Sequence, residues 1–208
     1  MRMNAAETAL MNNPDRRAIQ RRIEAPLLLR LGGSVEGGRV IEIGCGQGVG
    51  TEIILEQFGA AQVTAFDLDP GMIDLAGERL APYGDRVSLS VAVAQHIEAP
   101  DDSFDAVFDF GIIHHIPDWR AAIAEVRRVL RPGGRFFFEE VTTRALDRWS
   151  YRTFLDHPKH DRFGAFGFVH ELEQQGLHVG DRATTRFFGD FVIGVATLVD
   201  SGEGEIGP

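Results

Sequence analysis

Short apolar runs that end in an acid or a glycine recur along this chain. They occupy residues 40–43, 63–67, 104–107 and 135–141. Continuous apolar runs of this length, closed by turn residues, predict strands buried on both faces. Two further runs follow, at about 178–188 and 191–199, with Gly189-Asp190 between them. Such an arrangement predicts an antiparallel hairpin at the C-terminal end.

The segments between these runs carry apolar residues at every third or fourth position, which predicts helices with one buried face. They cover residues 49–58, 72–80 and 119–130. Helical structure is also expected across 142–176, with a loop near Pro158. A front segment begins at Asn13-Pro14, a cap followed by proline, and Pro26 kinks or restarts it.

Alternating helices and strands predict an α/β protein with an open, doubly wound sheet, mostly parallel, with helices on both faces. We expect one domain over residues 1–199, in which residues 1–36 form helices over the ligand site. The tail at 200–208 consists mostly of glycine and acids and is expected to be flexible. Ligands of such sheets bind at the carboxyl ends of the strands.

The stretch at 40–48 joins the first strand to the first core helix and carries the strongest chemical signal. Its motif residues are Glu42, Gly44, Cys45, Gly46 and Gly48. Glycines without a Cβ let backbone N–H groups approach a ligand closely, and the following helix adds the positive end of its dipole. The dinucleotide pattern G-x-G-x-x-G fails here because its sixth position is Val49.

A second strand ends at Asp67, about 20 residues beyond the glycine loop, where a carboxylate can bind a ribose diol. Further motifs follow in order at 104–107, 113–116 and 125–134. Together these stretches resemble the class I S-adenosylmethionine (SAM) dependent methyltransferases over residues 38–141. The resemblance implies a Rossmann-like fold and a glycine loop that cradles the methionine part of SAM.

The same resemblance assigns further residues to the cofactor. Leu68 and Met72 would pack on the two faces of the adenine. Many relatives place an acid at the adenine edge, whereas this chain has Val93, so the Ala94 backbone and the Gln95 side chain take that role, or packing alone holds the ring. Phe110, at the end of the fourth strand, completes the predicted cofactor site.

The methyl group of SAM is already electrophilic, so the protein mainly has to align an acceptor and exclude water. A base is needed only when the acceptor loses a proton. His114 is the candidate base, with an ordinary pKa of about 6.5, and His115 is expected to be structural. Glu140 is a second catalytic candidate, although strand alternation leaves open whether it or Glu139 faces the site.

The region at 142–176 is expected to lie on the acceptor side. Its aromatic residues are Trp149, Tyr151, Phe154, Phe163, Phe166 and Phe168. These residues either belong to the hydrophobic core or form an apolar lining for a quinol, phenol, polyketide or lipid-like acceptor. No metal site is expected, because His157 and His160 flank a proline on a loop. The arginines of the front helices are expected to face solvent, unless one reaches the cofactor carboxylate.

Composition limits the partners. The chain has 208 residues and a net charge of −10, which argues against a nucleic-acid acceptor because phosphate binding needs a basic surface. No apolar run is long enough for a membrane span, which needs about 18 residues, and the N-terminus shows no apolar signal core. With a single cysteine, the expected location is the reducing cytoplasm. A homodimer stays an open alternative.

The predicted function is methyl transfer from SAM to a small, apolar or aromatic molecule, similar to the enzymes of ubiquinone and menaquinone biosynthesis. Two alternatives remain at this point. An NAD-dependent oxidoreductase would also use a strand, a glycine loop and Asp67, but it lacks the third glycine. A protein that binds SAM or its demethylated product without turnover would show the same cofactor motifs.

Overall fold

The computed structural model describes residues 13–148 and 160–199. In these ranges the strands are β1 (Arg39–Ile43), β2 (Gln62–Asp67), β3 (Val87–Val91), β4 (Phe104–Phe110), β5 (Leu130–Val141), β6 (Leu177–His178), β7 (Ala183–Arg186) and β8 (Phe191–Leu198). The α-helices are α1 (Pro14–Ile19), α2 (Ala25–Gly32), α3 (Val49–Glu56), α4 (Pro70–Leu80), α5 (Trp119–Val129), α6 (Thr143–Leu146) and α7 (Ala165–Gln174).

The strands form one sheet in the order β3-β2-β1-β4-β5-β8-β6, and β7 also pairs with β8. Strands β3, β2, β1, β4 and β5 are mutually parallel, and β8 runs antiparallel to β5, β6 and β7. The predicted doubly wound, mostly parallel sheet with antiparallel C-terminal strands is therefore confirmed. Because parallel strands all end at the same edge, the residues after β1, β2 and β4 converge on one side of the molecule.

Side-chain alternation along the strands separates two hydrophobic cores, one on each face of the sheet. On β5, Phe136 and Phe138 point to the face covered by α5 and α7. Phe137 points to the opposite face, which α2 and α3 cover. There its ring stacks on Phe108 of β4, with centroids 4.4 Å apart. The sheet is thus buried on both sides, which explains why its strands read as continuous apolar runs.

The front helix is continuous but irregular. A π-helical turn at Gln20–Glu24 separates α1 from α2. Pro26 lies in the first turn of α2, where it cannot donate a backbone hydrogen bond and where its ring would crowd the carbonyl four residues back. The wider turn accommodates the proline without ending the helix. The kink or restart predicted at Pro26 therefore takes the form of a π-helical turn just before the proline.

The C-terminal hairpin differs from the prediction in its first strand. The expected strand at 178–188 is divided into β6 and β7, because Glu173 accepts hydrogen bonds from the Val179 and Gly180 backbone and turns the chain there. The second strand, β8, agrees closely. On α4 the expected buried residue Leu75 is 42% exposed, so only part of that predicted face is buried. No helix in the described ranges is long and apolar enough to cross a membrane.

Candidate functional site

The glycine loop after β1 has a backbone that only glycine adopts easily. Gly44 and Gly46 have φ values of 67° and 52°, in the left-handed region. A Cβ on Gly44 would lie 2.5 Å from the side chain of Ile112, so this glycine allows the loop after β4 to pack closely. A Cβ on Gly46 would meet no atom within 4 Å. Gly46 therefore faces open space, as a ligand-binding position requires.

Gly48 has a different role. It lines neither of the two cavities described below. A Cβ at this position would lie 2.8 Å from Leu80, so the missing side chain allows α4 to pack against the start of α3. The Gly48 N–H also donates to the Cys45 carbonyl at 2.9 Å, which closes the loop. We therefore assign Gly48 to the shape of the loop rather than to ligand contact.

The carboxylate of Asp67, at the end of β2, is tied to the glycine loop. Its Oδ2 accepts the N–H of Gly46 at 2.9 Å, and its Oδ1 accepts the N–H of Asp69 at 2.9 Å. Each oxygen keeps further acceptor capacity because a carboxylate oxygen has two lone pairs. The two backbone bonds therefore orient Asp67 and leave it able to accept hydroxyl donors.

Two cavities open at the carboxyl ends of the parallel strands. The first is lined by Gly44, Phe66, Asp67, Leu68, Asp69, Met72, Ala92, Val93, Ala94, Gln95, Ile112, His115 and Ile116. It collects the residues predicted to surround adenine, and a tight turn between Val93 and His96 places Gln95 at its rim. The predicted adenine residues are thus brought together, while their roles stay predictions.

The second cavity lies on the other side of the glycine loop. It is lined by Arg16, Arg17, Gln20, Glu42, Gly44, Cys45, Gly46, Gln47, Val49, Gly50, Asp67, Met72, Phe110, Gly111 and Ile112. Both cavities share Gly44, Asp67, Met72 and Ile112. The second cavity contains the guanidinium groups of Arg16 and Arg17 as well as the carboxyl group of Glu42. Together the cavities suit a ligand with an apolar ring at one end and charged groups at the other.

Glu42 is buried beneath the second cavity. Thr51 of α3 donates a hydrogen bond to Glu42 Oε2. A Cβ on Gly50 would clash with Glu42 Oε1, so Gly50 makes room for the carboxyl. Burial raises the pKa of Glu42 to about 8. Burial likewise raises the pKa of the neighbouring Cys45 thiol, which argues against a nucleophilic thiolate.

Two buried carboxyl groups hold the segment 111–116 that follows β4. Asp109 Oδ1 accepts the N–H groups of Gly111 and Ile112 at 3.0 and 2.9 Å. From β5, Glu140 accepts the N–H of Ile113 at 2.6 Å and that of His114 at 3.2 Å. Desolvation raises the pKa of Asp109, and it raises the pKa of Glu140 to about 7. These bonds fix a segment that forms one wall of the first cavity.

The structure reverses the expected placement of the two histidines. His114 is only 8% exposed, and its Nδ1 lies 2.6 Å from Glu140 Oε2. Burial lowers the pKa of His114 to about 3, so its imidazole is neutral at physiological pH. Because Glu140 Oε2 also accepts a backbone N–H, we assign the proton to His114 Nδ1. His115 instead lines the first cavity.

The catalytic candidates His114 and Glu140 were expected at the site, and the structure directs both of them away from it. Glu140 is fully buried and directed at His114, and neither residue lines the first or second cavity. Consecutive residues of the short 3₁₀ turn Ile113–His115 point in different directions, and Glu140 holds the first histidine inward. The sequence could not distinguish the histidines because their partner is 26 residues away.

Glu139 faces the opposite side of β5 and contacts the front helix. Arg16 NH2 donates to Glu139 Oε1 at 3.3 Å, and Arg16 NH1 also pairs with Glu24. Burial raises the pKa of Glu139. These ion pairs fasten α1 over the carboxyl end of β5, and they place Arg16 and Arg17 at the second cavity.

The aromatic residues of the acceptor side divide between core and surface. Phe163 and Phe168 are buried against Trp119, with ring centroids 4.8 and 5.9 Å away. Phe163 and Trp119 also line a narrow cleft with His114. Phe166 is 84% exposed. Trp149, Tyr151, Phe154 and His157 lie outside the described residues. Within the described ranges, no group of three or more His, Cys, Asp or Glu could hold a metal ion.

Several cavity residues were not predicted from the sequence. His115 and Ile116 wall the first cavity, while Gln20 and Gln47 line the second. None has a spacing signal, because the contacts depend on the turn after β4 and on the path of the front helix. Arg16 and Arg17 belong to the arginine group for which a cofactor contact was one open alternative.

Comparison with known proteins agrees with this geometry. Residues 40–134 match the family model described as a methyltransferase domain. The ubiquinone/menaquinone biosynthesis C-methyltransferase of Geobacter sulfurreducens is 36% identical over 112 residues, covering 52% of this chain and 43% of that protein. The fatty-acid O-methyltransferase of Mycolicibacterium smegmatis is 35% identical over 125 residues, covering 60% and 44%. The chain thus spans less than half the length of these relatives.

Solved structures show the same fold. A SAM-dependent methyltransferase from Aquifex aeolicus superposes with a TM-score of 0.73 at 20% identity, covering 94% of this chain and 99% of that one. A SAM-dependent methyltransferase from Mesorhizobium loti gives a TM-score of 0.67 at 19% identity, covering 83% and 96%. The sequence matches and the fold confirm the resemblance found in the motifs. Residues 40–134 therefore match a methyltransferase domain, and the chain has the fold of solved SAM-dependent methyltransferases.

Proposed function

We propose that this domain binds SAM across both cavities and transfers its methyl group to an apolar small molecule. One observation carries the proposal: Asp67 borders both cavities, and each cavity suits a different end of SAM. In that arrangement adenine occupies the side of the first cavity lined by Leu68, Met72 and Gln95. The ribose diol lies at Asp67, the amino-acid end occupies the second cavity, and the acceptor lies against Ile112, His115 and Ile116 on the remaining side of the first cavity. The residues present fit the cofactor in charge and in polarity.

Within the first cavity, Leu68 and Met72 supply apolar contacts for adenine, and Gln95 supplies an amide for its polar edge. In the second cavity we assign the carboxylate of the cofactor to Arg16 and Arg17, whose side chains both line it. Arg16 also pairs with Glu24 and Glu139, and Arg17 donates to Gln47 Oε1 at 3.4 Å. Phe110 and Cys45 close the inner wall.

The charge of the site favours SAM over NAD. SAM carries a sulfonium and an ammonium group, whereas a dinucleotide would bring a doubly negative pyrophosphate to the glycine loop. Here Glu42 and Asp67 both border the second cavity. The carboxylate of Asp67 attracts a cation, and a cation bound there lowers the pKa of Glu42 and favours its ionised form. This electrostatic preference agrees with the sequence, in which Val49 stands at the third glycine position of the dinucleotide pattern.

When bound, SAM supplies an electrophilic methyl group. The residues of this chain then have to orient the acceptor, exclude water and receive a proton where one is released. Ile112 and Ile116 provide an apolar wall, and His115 is the imidazole on that wall. We therefore assign the base role to His115 for acceptors with a phenol or enol proton. His114 and Glu140 act as positioning residues that hold the wall in place.

The proposal of an apolar acceptor is supported by the apolar cavity wall and by the names of similar proteins. Two of the similar proteins are named for a quinone pathway and for fatty acids. Another, from Caenorhabditis elegans, is a phosphoethanolamine N-methyltransferase that is 34% identical over 110 residues. A polar amine is thus the rival acceptor. The apolar wall of Ile112 and Ile116 favours the first class.

The test combines binding with turnover. Calorimetry should show SAM binding with micromolar affinity and no binding of NAD. Transfer of the labelled methyl group should then be measured across quinols, phenols, fatty acids and amines. Turnover with an apolar acceptor supports the proposal, and turnover with amines alone would contradict the acceptor class. SAM binding without transfer to any acceptor would favour a binding protein, and NAD binding would overturn the cofactor.

A further inference from the structure

Two consecutive phenylalanines form the exposed tip between β7 and β8. Phe187 is 73% exposed and Phe188 is 90% exposed. Both have a positive φ, at 50° and 61°. Phe187 makes one ring contact, with Phe191 at 5.8 Å between centroids. Large aromatic side chains usually bury most of their surface, so two adjacent exposed rings require a separate explanation.

The local backbone makes these side chains still less expected. The left-handed region is favourable for glycine and tolerable for asparagine, but it is costly for bulky residues. A tip that served only to connect two strands would be more stable with asparagine or glycine at both positions. Neither folding nor solubility therefore accounts for the phenylalanines.

The charges around the tip indicate which surface the rings would contact. Arg144, Arg148 and Arg186 surround it, and the side chains of Arg144 and Arg148 are 64% and 52% exposed. Asp190 faces both Arg144 and Arg148, so one carboxylate compensates two guanidinium groups. The chain as a whole has a net charge of −10. A local basic surface in an acidic protein is complementary to a negatively charged surface.

We propose that this tip, Phe187-Phe188 with its three arginines, docks the domain on an anionic lipid bilayer. Exposed aromatic rings enter the boundary between headgroups and acyl chains, while arginines pair with lipid phosphates. The inference rests on the proposed function, because an apolar acceptor dissolves in a bilayer. It adds the surface from which the domain takes that acceptor.

The position of the tip supports this role. Phe191 pairs with Val141 at the end of β5, and Thr142 donates to the Gly189 and Asp190 carbonyls at 2.7 and 2.9 Å. The tip therefore lies at the edge of the sheet where the parallel strands end. Both cavities open at this same edge. Docking through the tip would bring the acceptor side close to the lipid surface.

The decisive experiment compares the wild-type chain with a variant carrying Phe187→Asn and Phe188→Asn. Co-sedimentation should be measured with phosphatidylcholine vesicles that contain phosphatidylglycerol. The partition coefficient of the variant should fall about tenfold or more, because two rings no longer enter the bilayer. Its unfolding midpoint should not fall, since asparagine tolerates a positive φ better than phenylalanine. The control is Val91→Asn, a 54% exposed position on the opposite edge strand.

Charge is tested separately. Arg186→Gln should weaken binding to the anionic vesicles about fivefold and leave binding to pure phosphatidylcholine unchanged. High salt should weaken the anionic binding of the wild-type chain in the same way. The proposal is overturned if the wild-type chain does not sediment, or if the phenylalanine variant sediments equally well. A wild-type dimer that the variant converts to a monomer, without vesicle binding, would assign the tip to a second copy instead.

Vesicle binding requires neither cofactor nor turnover. SAM affinity should be the same in the wild-type chain and in the tip variant, because the tip residues line neither cavity. A chain that binds vesicles through the tip but does not bind SAM would refute the proposed function alone. A chain that methylates a soluble acceptor but ignores vesicles would refute the docking proposal alone.

Discussion

The cofactor half of the molecule, β1 to β4, and the acceptor half, β5 to β8, are built from different kinds of contact. In the cofactor half, carboxylates bind backbone N–H groups within the motif stretches, two and three positions away for Asp109 and 21 positions away for Asp67. In the acceptor half, side chains from distant segments meet. Glu140 and His114 are 26 residues apart, and Arg16 and Glu139 are 123 apart. Local contacts leave a sequence motif, and distant ones do not.

This difference has a functional meaning. Every SAM-dependent enzyme binds the same cofactor, so a compact local motif can be kept intact while the acceptor half changes. Under the proposed function, the acceptor half is the part of the molecule that would contact the acceptor. The following variants test whether the two halves are as separable as the contacts imply.

The largest effect is expected from Gly46→Val in the cofactor half. Its Cβ would enter open space at the second cavity, so the variant should lose measurable SAM binding. Gly133→Val is the matched control, because Gly133 also has a positive φ and open space but lies away from both cavities. Both variants should lose similar stability by thermal unfolding. Normal SAM binding by Gly46→Val would place the cofactor elsewhere.

The two histidines test the acceptor half. His115→Ala should lower the methyl-transfer rate about a hundredfold or more for an acceptor that loses a proton. His114→Ala should act on stability, by about 2 to 4 kcal/mol, because it leaves Glu140 without its buried partner. For both variants, the pH profile of the methyl-transfer rate and the free energy of unfolding in denaturant should be measured. A rate defect confined to His114→Ala would return the base role to that residue.

The histidine pair also shows where prediction from the sequence ends. The sheet, the glycine loop and Asp67 were predictable because short apolar runs and motif residues mark each of them in the sequence. Gln95, Leu68 and Met72 line one cavity together, and their contact with adenine stays a prediction. The sequence could not show that His114 lies behind the cavity wall, because Glu140 of β5 holds the turn that contains this histidine. Nor could spacing predict the division of the first hairpin strand, which depends on Glu173 binding the turn that follows it.

A smaller effect is expected from Asp67→Ala, at the junction of the two cavities. Loss of two hydrogen bonds to an ionised acceptor should weaken SAM by about 2 to 3 kcal/mol in calorimetry. Asp118→Ala is the control, because Asp118 caps α5 with a bond to Ala121 and lies outside both cavities. It should cost about 1 kcal/mol of stability and leave SAM affinity unchanged. A change of SAM affinity below about tenfold would remove Asp67 from the ribose role.

The smallest effect concerns Glu42, whose pKa burial raises to about 8. A cation in the second cavity favours the ionised carboxylate, so binding lowers this pKa and releases a proton. SAM affinity should therefore rise as the pH increases toward 8. A fall of about one in the pKa corresponds to a gain of about tenfold.

Glu42→Gln isolates this contribution. Ionisation of SAM itself is common to both proteins, so the difference between their affinity profiles belongs to Glu42. The variant should show the flatter profile, and the control Glu98→Gln, an exposed position outside both cavities, should match the wild-type chain. Unfolding gives a second readout. Since the pKa of Glu42 is above its ordinary value of 4.5, its contribution to stability is present below that pH and is lost as the pH rises through 8. Parallel affinity profiles for Glu42→Gln and the wild-type chain would mean that the cationic end of the ligand does not lie near Glu42, and the assignment of the second cavity to the amino-acid end of SAM would fail with it.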